Sequence, residues 1–68
     1  MSSELKPHQQ RVVDEADELR TRLEKLSAFI GGEVYLTLDE GERSRLSRQA
    51  AVMCDYLDIL TERIAAFS

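Results

Sequence analysis

The chain has 68 residues, a net charge of -4, one cysteine and one histidine. That length makes a single domain with a modest core, which usually needs a disulfide, a metal or a partner subunit to hold it. One cysteine excludes an internal disulfide, and one cysteine with one histidine excludes a structural zinc set. The acidic balance argues against general nucleic-acid binding, which wants a basic face.

Met1 to Leu5 reads as a frayed start. Pro7 suits the first turn of a helix, where its missing N–H costs little. Apolar residues then fall at Val12, Ala16, Leu19, Leu23, Leu26 and Ile30, alternately four and three apart. That is a heptad seam, too long for a strand, and it predicts a first helix over about 7–30. Gly31 and Gly32 are expected to stop it by taking the left-handed cap conformation. Residues 31–37 are expected to form a loop. Thr37-Leu38-Asp39-Glu40 reads as a capping box with Thr37 as the N-cap, opening a second helix over about 38–66. That helix carries its own seam at Leu46, Ala50, Met53, Leu57, Leu60, Ile64 and Phe67. Two heptad helices joined by a short loop run antiparallel. The expected fold is all-α: one helical-hairpin domain over 1–68 that assembles into a homo-oligomeric bundle.

The second helix has a further track at Arg45, Gln49, Val52, Tyr56, Ile59 and Arg63, with Ala51, Ala65 and Ala66 widening the apolar surface. One partner helix cannot cover both tracks, and an apolar strip left over on a small protein marks an interface. Cys54 reads as packing in the same apolar surroundings. Seven positions, "RSRLSRQ", hold three arginines. Intrahelical pairs are expected for Arg43 with Asp39, Arg20 with Glu24 and Arg22 with Glu18. Arg45, Arg48 and Arg63 are read as lacking such a partner, with Asp55 and Asp58 as the nearest acids. Beside an apolar strip they call for an acid on another subunit or an anionic ligand. Arg45, Arg48, Tyr56 and Arg63 are therefore the candidate ligand site: arginines for phosphates, the tyrosine ring for a base.

Asp14, Glu15, Asp17 and Glu18 form an acidic run, read as a solvated face or a patch toward a partner. His8 has no acid–base partner in view. Gly31-Gly32 lacks the lysine and the preceding strand of a phosphate loop. No nucleophile–base pattern occurs, so no enzyme, no cofactor and no metal is expected. There is no apolar run for a membrane span and no signal-peptide pattern. A lone thiol fits a reducing cytoplasm.

Three stretches, "HQQRVV" at 8–13, "RLSRQ" at 45–49 with Met53 and Tyr56 following, and "ERIAAF" at 62–67, resemble a widespread family of very short phage proteins. That family is named after a gene product of a crAss-like gut phage, and the likeness covers about residues 8–67. The resemblance implies a phage origin and expression in the cytoplasm of a bacterial host cell. It brings no active site. Small helical phage oligomers without catalytic groups often counter host defence, and sponge proteins among them sequester cyclic nucleotide signals between subunits. By that analogy of style, the expected function is sequestration of a small anionic cyclic nucleotide in inter-subunit pockets. The alternatives are a helical module that docks on and inhibits a host protein, and a purely structural homo-oligomer.

Overall fold

The computed structural model describes residues 5–67. The expected fraying of Met1 to Leu5 lies outside them, Leu5 apart. The chain is all-α, with α1 over Pro7–Ile30, α2 over Glu33–Thr37 and α3 over Glu40–Ala65, and no strand occurs among the described residues.

Helix α1 starts where Lys6 is extended and Pro7 takes the first helical position. Gln9 Oε1 reaches back to accept the Lys6 N–H at 2.9 Å, which satisfies one donor that the helix end leaves free. The helix ends at Gly31, but not as the glycine pair suggests. Gly31 is right-handed (φ -81°, ψ 0°), and no glycine among the described residues has positive φ. The chain leaves α1 through extended backbone at Gly32 (φ -98°, ψ 177°) and turns at once into α2. The expected two-helix hairpin thus becomes three helices, because the connector itself coils for 5 residues.

Tyr35 explains why that short turn holds. Its hydroxyl donates to the Arg43 carbonyl at 3.1 Å and lies 2.9 Å from Ser47 Oγ, so α2 is tied to the first turns of α3. The N-cap of α3 is Asp39, not Thr37. Asp39 Oδ1 accepts the Glu42 N–H at 3.3 Å, while the Thr37 hydroxyl turns back to the Val34 carbonyl at 2.6 Å. Thr37 closes α2 and so cannot also open α3.

The heptad seams meet. Val12, Ala16 and Leu60 are buried, and Leu19, Leu57, Ile64 and Phe67 pack around them. Ala16 is the small residue that lets Leu60, at 0% exposure, come in against α1. The core therefore sits where the first turns of α1 meet the last turns of α3, so the two long helices run in opposite directions. Toward the connector the seam is only half-buried, at Leu23, Leu26, Leu46 and Ala50. Two helices side by side cannot close around it. The result is a rod, 52 × 15 × 14 Å.

Candidate functional site

The outer face of α3 is the second track, and it is bare. Val52 is 65% exposed, Ile59 53% and Tyr56 40%. Arg45, Arg48, Arg63, Ala51 and Cys54 are exposed alongside them. Cys54 is thus a surface thiol and not a packing residue: it lies one position past Met53, which turns it off the seam.

The four candidate residues fall into two groups. Tyr56 and Arg63 are seven positions apart, two helical turns, so they share a face at about 10 Å of rise. Arg45 and Arg48 lie toward the other end of α3. From Arg45 to Arg63 the helix rises about 27 Å, so one small molecule cannot touch both on one chain.

Arg45 is not free. Its Nε donates to Glu42 Oε1 at 2.9 Å, and its guanidinium lies over Gly41 beside Asp39. The acid three positions upstream, and not the two downstream aspartates, is its partner. Both side chains are largely in water, so the pair holds Arg45 by only tenths of a kcal/mol, about 0.3–0.5. Arg20 likewise pairs with Asp17, at 3.1 Å, in place of Glu24. Neither Arg43–Asp39 nor Arg22–Glu18 is an ion pair in the structure. Arg43 is half-buried, with its Nε shielded from solvent and without a hydrogen-bond partner. Arg48 and Arg63 make no ion pair among the described residues.

Tyr56 has a partner that the sequence reading missed. Its hydroxyl donates to Glu15 Oε2 on α1, across the two helices. This hydrogen bond raises the Tyr56 phenol above its ordinary value of 10.0, helped by partial desolvation and by the Glu15 charge, while Arg63 pulls the other way. Glu15 stands directly before Ala16 in sequence, so the antiparallel register that seats Ala16 on Leu60 also brings Glu15 to Tyr56. The acidic run as a whole is exposed, with Asp14 accepting from Gln10 at 3.0 Å.

A shallow open depression of about 350 Å³ is lined by Asp17, Glu18, Thr21, Arg22 and Lys25. All five come from one helix and include none of the four candidates, so nothing wraps a ligand there. Among the described residues no group of three or more His, Cys, Asp or Glu side chains is arranged to hold a metal ion. No helix among them is long and apolar enough to cross a membrane.

Residues 6–66 match a protein-family model described as Sequestin. The chain belongs to the Sequestin family. A protein of Enterobacteria phage T4, described as an uncharacterised 7.5 kDa protein in the denB-rIIB intergenic region, is 35% identical over 60 residues. The match takes in 88% of this chain and 94% of that protein. No solved structure matches this chain significantly. The expectation of a family of small phage proteins stands on these two matches; neither bears on a crAss-like phage. The name Sequestin points to sequestration in general and to no particular ligand.

Proposed function

We propose that this Sequestin-family protein is a non-catalytic phage accessory protein. In this reading it acts in the cytoplasm of the host and counters defence by sequestering a small anionic cyclic nucleotide between subunits. The observation that carries the reading is the bare face of α3, where an aromatic ring lies between two exposed aliphatic residues, with exposed Arg63 two turns along the same helix. A face of that composition suits stacking of a base and neutralisation of a phosphate. Tight stoichiometric binding needs no catalytic group.

The surface area supports a second copy as the other wall of the site. The chain exposes 5296 Å². A compact monomer of its mass would expose about 4,400 Å². The excess goes with the rod shape, 52 × 15 × 14 Å, which leaves the outer face of α3 uncovered. Two α3 helices packed antiparallel would set Arg45 of one subunit near Arg63 of the other, and two-fold symmetry would make two such pockets. Arg45 would have to exchange Glu42 for phosphate, a small cost for an exposed pair. Arg48, one turn further along, would add to the positive rim.

The test is native mass spectrometry with and without a panel of cyclic di- and trinucleotides. A dimer or larger assembly carrying bound nucleotide is expected. Arg63→Ala and Arg45→Lys should lose the nucleotide while keeping the assembly mass, because a bidentate arginine–phosphate contact does not survive the change to lysine. If no cyclic nucleotide binds the wild type, the weight moves to docking on a host protein. The exposed acidic run of α1 favours that second reading, since it offers a basic partner a line of carboxylates.

A further inference from the structure

We propose that an exposed charge track on α1 is a homotypic interface, on which α1 of a second copy packs antiparallel. Beside the buried seam of α1 run Arg11, Glu15, Glu18, Arg22, Lys25 and Phe29, again alternately four and three apart, and all six are exposed. That spacing keeps them on one face of the helix. Arg11, Glu18, Arg22 and Lys25 make no ion pair among the described residues, although Glu18 and Arg22 stand four positions apart. About the centre of the track, between Glu18 and Arg22, the charge inverts: two carboxylates lie on one side and two cations on the other. Two copies laid antiparallel about that centre set Glu18 against Arg22 of the second copy and Glu15 against its Lys25. Arg11 then meets Phe29, 39% exposed, whose ring face attracts a guanidinium. Each contact occurs twice by symmetry, and none opposes like charges. Glu15 already accepts from Tyr56, but a carboxylate has about four lone-pair sites, so the ammonium finds room.

The hydrogen bond from Tyr56 to Glu15 joins this track to the bare track of α3, so both lie on the same side of the hairpin. A second copy laid across that side covers both at once. One two-fold axis can relate both helix pairs only if the centres of the two tracks lie level. The α1 track centres on position 20, and the α3 track, from Arg45 to Arg63, on position 54. Counting along both helices from Glu15 and Tyr56 puts 20 level with 51, and counting from Ala16 and Leu60 puts it level with 56. The α3 centre falls between these, within one helical turn of either. The shallow depression lined in part by Glu18, Arg22 and Lys25 lies at the α1 centre, where it receives side chains of the second copy. The apolar strip of α3 supplies the burial, and the charges of α1 select the register. A parallel pairing in register would set Glu18 on Glu18 and Lys25 on Lys25, so the track also rejects that alternative. The inference goes beyond the nucleotide reading and shares with it only the second copy.

The experiment uses two charge-reversed variants, Glu18→Arg and Arg22→Glu, each first checked for helix by circular dichroism. Alone, each sets like charges against each other at both copies of the contact, and should assemble roughly tenfold more weakly than the wild type in sedimentation equilibrium. Mixed, the two variants complement each other at both contacts. Assembly should then return, and native mass spectrometry should find assemblies holding both variants in large excess over those holding one. A statistical mixture, or variants that each assemble as tightly as the wild type, overturns the α1 interface and leaves the packing of α3 on α3 standing. A monomeric wild type overturns both. Should either reversal lose helix, Glu18→Gln and Arg22→Gln take its place, since they remove the charge and keep the shape. Weaker assembly of both is then expected, and unchanged assembly overturns the proposal.

Discussion

At the residue scale, the ends of the helices decide the most testable energetics. The Asp39 carboxylate accepts one free N–H of the first turn of α3, that of Glu42, so Asp39→Ala should cost about 0.5–2 kcal/mol. Thr37→Ala, which only loosens the last turn of α2, should cost clearly less. Urea unfolding of the two variants checks the order, and the reverse order would return the N-cap to Thr37. Gly31 is right-handed, and a methyl group there would meet only the Ser27 and Ala28 carbonyls at 3.6 and 3.8 Å, ordinary contact distances. Gly31→Ala should therefore stabilise by about 0.4–1 kcal/mol through the unfolded chain, raising Tm. Tyr56 gives a pH signature. Its folded-state pKa is raised, so the stabilisation it brings is complete below the unfolded value of 10.0 and is lost as pH rises through the folded value. Phenolate absorbance should show one tyrosine ionising late, and Glu15→Ala should return it toward its ordinary range.

At the element scale, the seams were legible because heptad spacing is a property of the chain itself. Every seam position from Val12 to Phe67 is buried or half-buried. The connector was not legible. Val34, Tyr35 and Leu36 carry no helical period over so few residues, and α2 forms because Tyr35 finds the Arg43 carbonyl and Ser47, which only the folded bend provides. Two capping patterns also overlap there, one beginning at Thr37 and one at Asp39, and tertiary position chooses between them. The arginines divide in the same way. Arg45 with Glu42 was readable from three-residue spacing. Tyr56 with Glu15 was not, because it depends on the register between two helices. Packing is expected to be graded along the rod: Leu60→Ala should cost about 2–5 kcal/mol, as for a fully buried leucine. Leu26→Ala, at a half-buried position, should cost noticeably less in the same unfolding assay.

At the scale of the whole molecule, the three buried residues found among the described ones make a thin core. Folding coupled to assembly makes Tm rise with protein concentration. Sedimentation equilibrium at micromolar concentration should give at least a dimer, and Ile59→Glu should reduce the mass while circular dichroism retains helix. A monomeric mass for the wild type, with Tm independent of concentration, would remove the α3 interface.

The position of the buried residues also governs how the molecule breathes. Val12, Ala16 and Leu60 grip near the tips of the rod, and the bend at 31–39 holds mainly through Tyr35. Bringing those residues together closes the long segment between Ala16 and Leu60 into a loop, an entropic cost that grows only slowly with length once a long loop is needed. Opening then begins at the bend and travels outward. Amide hydrogen exchange should be slowest around Val12–Ala16 and Leu57–Leu60 and fastest through the bend, the reverse of a hairpin that frays from its tips. Glu15 lies inside the slow zone and Tyr56 borders it, so the aromatic platform keeps its shape while the other end of the rod loosens.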